Sequence, residues 1–238
     1  MNGRFSGKIG ENYDLFRCIS PNDEEVQAAI GNALGEYCKG IHSEKINVLE
    51  IGAGTGRTSK KILDADPRII LTSIDNEPAM IEQLMKNLRG HIGEGRLKIL
   101  QKDALEALGK IDNWRFNAFA SAQTLHNFDR GYRKACLAEL YRILMPGGLF
   151  VNGDKYAVED NARHSKDLAL RIKRFADVCL DKGKPELGIE WVNHLLLDNQ
   201  PDFIMKEQES VQLMENLGFL DVKIAYRSGL EAVITAVK

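Results

Sequence analysis

An apolar and β-branched run, Val48-Leu49-Glu50-Ile51, ends in Gly52-Ala53-Gly54-Thr55-Gly56-Arg57. Glycine has no Cβ and reaches positive φ, so such a loop lets backbone pass close to a bound molecule. The G-x-G-x-G spacing differs from G-x-G-x-x-G, whose third glycine opens a helix that holds a pyrophosphate. Here that glycine comes one residue early and Arg57 stands in its place. Glu50 would repel a pyrophosphate and tolerate a cationic or amino-bearing group. The expected ligand is a nucleoside without phosphate. Two further segments carry proton-transfer groups: Gln123-Thr124-Leu125-His126-Asn127-Phe128-Asp129 and Glu190-Trp191-Val192-Asn193-His194. Imidazole exchanges protons near neutral pH, which makes His126 and His194 candidate bases. His42, His91, His126, His164 and His194 show neither H-E-x-x-H nor clustered cysteine spacing, so no metal site is expected.

These groups need elements to position them. From about residue 47 to residue 155, strand-like and helix-like patterns alternate, as in a mostly parallel sheet covered on both faces. Pro78 opens one helix, with Met80, Ile81, Leu84, Met85 and Leu88 as its apolar stripe. Another helix, over 130–144, carries Tyr132, Cys136, Leu137, Leu140 and Leu144 on its apolar side. Before the repeating core, 22–39 reads as a helix capped by Asn22 or Asp23. After it, 156–206 is too long for a loop and reads as a helical cap over the sheet end where ligands bind. The 238 residues are expected to form one domain, 1–238, with an N-terminal helical segment over 1–45.

An acidic strand-end residue followed by G-x-G-x-G resembles the first motif of the class I S-adenosylmethionine-dependent methyltransferases. Later segments resemble that family in order. The resemblance implies a doubly wound, mostly parallel seven-stranded α/β sheet with an antiparallel last strand, and S-adenosylmethionine as cofactor. It implies cofactor contacts from Glu50, Gly52, Ala53, Gly54 and Gly56. At the next strand end it implies Asp75 and Asn76, the carboxylate accepting from both ribose hydroxyls. Asp103 and Ala104 would meet the adenine amino edge, and Ala122 would close the fourth strand. Met80 would either cover the adenine or belong to the core.

Tyr13 and Arg17 resemble a Tyr-Asp-x-x-x-Arg segment that folds over the cofactor; an ordinary amphipathic helix is the alternative. Gln123 follows the fourth strand, where the family faces its acceptor, and Arg17, Gln123 and Trp191 are candidate substrate residues. His126 is the leading base, with helix capping as its alternative, and Trp191 is either a substrate contact or a packing anchor. The segment Ile74-Asp75-Asn76-Glu77-Pro78, the long insertion and a Gly229-Leu230-Glu231 ending also resemble carboxy-S-adenosylmethionine synthase. That activity needs a cation for the added carboxylate, for which Arg171, Arg174 and Arg227 are available. A third reading is a non-catalytic cofactor-binding protein.

The formal charge of −2, with both signs interspersed, leaves no basic stripe for a nucleic-acid backbone. The expected partner is a small molecule, with no membrane contact and with a homodimer as the possible assembly. Four scattered cysteines and no apolar signal or spanning run fit a cytoplasmic protein.

Overall fold

Strand positions buried on both sides read as near-continuous apolar runs, and β1 (Ile46–Ile51) is such a strand. Its alternate residues feed two separate cores. Leu49 and Ile51 join Phe119, Phe150 and Phe219 on one face, while Val48 joins Ile30, Leu34, Ile62 and Leu71 on the other. The computed structural model describes residues 19–238. In chain order it gives α1 (Asp23–Lys39), β1, α2 (Arg57–Ala65), β2 (Ile69–Asp75), α3 (Pro78–Asn87), α4 (Arg89–Gly93), β3 (Leu97–Gln101) and α5 (Ala104–Leu108). Then come β4 (Phe116–Ala122), a single 3₁₀ turn (Leu125–Asn127), α6 (Arg130–Ile143), β5 (Leu144–Lys155), α7 (Asn161–Asp181) and α8 (Pro185–Asp198). The chain closes with α9 (Glu207–Asn216), β6 (Leu220–Ser228) and β7 (Glu231–Val237).

The seven strands lie in the order β3-β2-β1-β4-β5-β7-β6. β1 to β5 pair in parallel, and β7 runs antiparallel to both β5 and β6. This is the expected α/β sheet with its last strand reversed. The strand order turns back between β1 and β4, which opens a crevice at the carboxyl ends of those strands.

The insertion is helical, as expected. α7 and α8 pack on each other around Phe175, Cys179, Leu187, Trp191 and Leu195, and this third cluster reaches Ile19 and Leu230. No described helix is long and apolar enough to cross a membrane. Two local expectations are corrected. Asn22 occupies the N-cap position of α1 without a capping bond, because its amide instead donates to Ser228 O at 3.0 Å and to Glu231 Oε2 at 3.1 Å. Met85 is 51% exposed, so the apolar stripe of α3 is carried by Met80, Ile81 and Leu84.

Candidate functional site

A cleft opens at the carboxyl ends of β1, β2 and β4, and most of the expected cofactor residues meet there. Gly52, Gly54, Asp75, Asn76, Met80, Asp103, Ala104, Ala122 and Gln123 all line it. The loop after β1 is tied down by Gly52 N donating to Ile74 O at 2.8 Å. Asp75 then clamps loop and strand end together: Oδ2 accepts from Gly54 N at 2.7 Å and Oδ1 from Glu77 N at 2.9 Å. Burial raises the Asp75 carboxyl above the usual range, against those same backbone donors. The backbone of Asn76 donates to the same carboxylate, and of its roughly four acceptor sites one remains for a further hydroxyl donor.

Asp103 caps α5, its Oδ1 accepting from Glu106 N at 3.1 Å and from Tyr132 Oη at 2.6 Å. The Tyr132 hydroxyl in turn accepts from Leu105 N at 2.9 Å. Tyr132 was expected on the apolar side of its helix. Its ring does pack on Phe128, with centroids 4.8 Å apart, but its hydroxyl fixes Asp103 and both rings line the cleft. Helical spacing finds the ring and not the hydroxyl's partner, which lies 29 residues away. Lys102, Thr124 and Asn127 also line the cleft and were not singled out.

Two residues of the motif, one at the strand end and one in the loop, serve the scaffold. Glu50 is fully buried beneath the loop and is not among the cleft-lining residues. It pairs in register with Ser73 and shares its strand face with Val48, so Oε2 accepts from Ser59 Oγ at 2.6 Å and Ser73 Oγ at 2.5 Å. Burial pushes its carboxyl up to about 7, against the two serine donors and with the neighbouring Asp75 charge adding to the rise. Gly56 starts α2 at φ +87°, where an added Cβ would lie 3.0 Å from Leu88 Cδ1. Its smallness serves helix packing.

Beyond Ala122 the cleft runs into a small hollow shared by Ala53, Gly54, Gln123, Asp23, Gln27 and Arg57. Arg57 Nη2 pairs with Asp23 Oδ2 at 2.5 Å. Beside this pair, Gln27 Oε1 and Gln123 Nε2 are buried with no hydrogen-bond partner among the described residues. One is an acceptor and the other a donor. Gln123 also sits at φ +52°, the left-handed region that a non-glycine residue occupies at a cost.

Neither candidate base lies in this cleft. The His126 ring turns away, its Nδ1 bonded to Asp154 Oδ1. Its Nε2 lies 3.7 Å from Asp198 Oδ2. His194 Nε2 lies 3.8 Å from the same oxygen, which also accepts from Lys155 Nζ at 2.5 Å. The expectation of no metal constellation rested on spacing along the chain; the fold brings His126, His194 and Asp198 to one point from positions that spacing rules do not connect. Trp191 is 2% exposed, stacked edgewise between Phe175 and His194, and belongs to the cap's core. Tyr13 and Arg17 fall outside the described residues.

Comparison with known proteins agrees with this geometry. A family described as a methyltransferase domain matches residues 48–148. The carboxy-S-adenosyl-L-methionine synthase of Shewanella pealeana is 30% identical over 181 residues, covering 72% of this chain and 69% of that one. Its counterpart from Photorhabdus laumondii is 23% identical over 158 residues, so that this chain matches 60% of its length. The demethylmenaquinone methyltransferase of Leptospira interrogans is 26% identical over 221 residues, or 91% of this chain and 83% of the relative. Among solved structures, an O-methyltransferase family protein from Burkholderia thailandensis superposes with a TM-score of 0.67 at 14% identity, covering 99% of this chain and 61% of the other. On the order of its strand-end motifs, its sheet topology and these relatives, the chain belongs to the class I S-adenosylmethionine-dependent methyltransferase family.

Proposed function

We propose that this chain moves the methyl group of S-adenosylmethionine to a small-molecule acceptor by in-line displacement. The observation that carries the reading is the pairing of the two orphaned amides with the cleft. An α-amino acid presents an ammonium donor and a carboxylate acceptor, and Gln27 Oε1 and Gln123 Nε2 are buried, unsatisfied among the described residues and complementary to them. The Arg57–Asp23 pair beside them matches the same zwitterion. At the other end Asp75 suits a ribose hydroxyl, while Met80 and Phe128 offer apolar cover for a base.

The cofactor, when bound, supplies a methyl group already activated on a sulfonium. The chain's own residues then position the reactants and exclude water. No histidine lines the cleft among the described residues, so His126 and His194 are not assigned as bases acting from it. For the synthase reading, two of the three candidate cations are committed elsewhere: Arg171 to Glu231 and Arg227 to Glu207. Methyl transfer is the reading we favour. We infer a cytoplasmic protein, a reading supported by the free, buried thiols of Cys38, Cys136 and Cys179.

Calorimetric titration with S-adenosylmethionine and S-adenosylhomocysteine tests the pocket, and transfer of labelled methyl into the small-molecule fraction of a cell extract tests the acceptor class. Gln123→Leu and Gln27→Leu should each weaken binding by roughly 10- to 150-fold, the value of a hydrogen bond to a charged group. Absence of cofactor binding by the unaltered chain would overturn the reading, and label appearing only in macromolecules would overturn the acceptor class.

A further inference from the structure

The groups gathered outside the cleft form a site of their own. His126 comes from the turn after β4, and His194 and Asp198 come from α8, where i, i+4 spacing sets both on one face. Their donor atoms lie within 4.8 Å of one another, with Asp198 Oδ2 at 3.7 Å from one imidazole Nε2 and 3.8 Å from the other. Ligands held about 2.0–2.2 Å from a tetrahedral ion stand roughly 3.3–3.6 Å apart, so small side-chain adjustments would seat an ion among the three. We propose that His126, His194 and Asp198 bind a divalent transition-metal ion, zinc or ferrous iron by their donor chemistry, at a site separate from the cofactor cleft and independent of its assignment.

Three observations support this. First, His126 is oriented as metal-binding histidines are, its second nitrogen held by a carboxylate. Asp154 is wholly buried, bonds His126 Nδ1 with Oδ1, and is itself fixed by Leu125 N at 2.8 Å on Oδ2. That contact fixes the ring with Nε2 facing Asp198, and a metal on Nε2 would leave Nδ1 as the donor to Asp154. Second, two carboxylates, Asp154 and Asp198, are buried here, with the Lys155 ammonium on Asp198. A divalent cation seated between them would compensate that buried negative charge directly. Third, the cluster borders a hollow also lined by His164 and Asn199. Three protein donors next to open space leave a coordination position for water or an oxygen-bearing molecule, the pattern of catalytic rather than structural sites.

Lys155 sharpens the test. Its Nζ lies 2.5 Å from Asp198 Oδ2 and its side chain still reaches solvent, so ammonium and metal compete for one carboxylate. The chain, stripped with a chelator, is titrated with Co²⁺ and Zn²⁺ and followed by visible absorption, calorimetry and metal analysis. The expected result is one Co²⁺ per chain with the intense visible bands of low coordination number, displaced by Zn²⁺. Asp154→Asn should weaken binding by roughly 10- to 100-fold, and His194→Ala and Asp198→Asn by more. Lys155→Met should tighten it. Circular dichroism confirms the fold of each variant, and the unaltered chain decides the matter by itself if a variant unfolds. Absence of saturable binding, or binding indifferent to His194→Ala and Asp198→Asn in folded protein, overturns the site. Affinity that fails to rise in Lys155→Met overturns the assignment of Asp198 as a ligand.

Discussion

Gly52 and Gly54 stand two residues apart in one loop and are glycine for different reasons. At Gly52, φ +74°, an added Cβ would lie 2.0 Å from Thr124 Oγ1; at Gly54, φ +52°, it would meet nothing within 4 Å. Gly52→Ala should therefore cost roughly 3 kcal/mol of stability from overpacking and backbone strain. Gly54→Ala should cost about 1 kcal/mol in the left-handed backbone and show its main effect on cofactor affinity. Urea melts and cofactor titration of the two variants separate these outcomes, and identical behaviour would refute the distinction. Asp75→Ala should lose about 1.5 to 3 kcal/mol of cofactor binding, the value of hydrogen bonds to a charged group, provided the measurement corrects for the lost loop clamp. Glu50 predicts a pH effect. Its folded pKa of about 7 lies above the ordinary 4.5, so its protonated form favours the fold. That stability is fully present below the unfolded pKa and is lost as pH rises through 7, by roughly 3 kcal/mol in all. Melts from about pH 5 to about pH 8 should show a decline that Glu50→Gln flattens; parallel curves would exclude Glu50 as the source. The glycine loop and Asp75 were legible in sequence because each sits at a strand end. The part played by Glu50 was not, since its direction depends on which face of β1 meets α2.

At the scale of elements, the cap is held to the sheet by a buried ion pair. Arg171 of α7 reaches Glu231 at the start of β7, at 2.6 Å and 2.7 Å on the two carboxylate oxygens. Glu231 is wholly buried and Arg171 nearly so. Removing one partner strands the other charge, so Arg171→Met should destabilise by roughly 3 to 5 kcal/mol, whereas Arg171→Met combined with Glu231→Gln should recover much of the loss. Chemical denaturation of the single and double variants checks this. A single variant as stable as the parent would show that the pair does not dock the cap. The helices themselves were readable: apolar periodicity placed the cap helix, and Asp160 caps α7 by accepting from Ala162 N and Arg163 N. Their packing was not, because Arg171 and Glu231 lie 60 residues apart in sequence.

Taken whole, the molecule couples cofactor to stability. The clamp at Asp75, the amides at Gln27 and Gln123 and the Asp103–Tyr132 pair come from separate segments, so a ligand touching all of them stabilises the folded state alone. S-adenosylhomocysteine at about one hundred times its Kd should add about 2.7 kcal/mol, a rise in Tm of about 5 to 10 °C, while NAD should add none. Scanning calorimetry reads the difference directly, and an equal shift from NAD would contradict the reading of the glycine loop. The net charge of −2 predicts no salt-dependent retention on nucleic acid.

The sequence by itself determined the alternation of strands and helices, the parallel sheet and the strand-end residues of the cleft, because those follow from periodicity and from glycines and carboxylates at short range. Tertiary structure decided where long side chains point. It turned Glu50 under the loop and Trp191 into the cap, and it swung His126 out of the cleft to meet Asp154, His194 and Asp198. Each of those outcomes depends on which face of one element packs against another far away in the chain. Local spacing carries no record of such a contact, since it arises only when the sheet closes and the cap settles on its end.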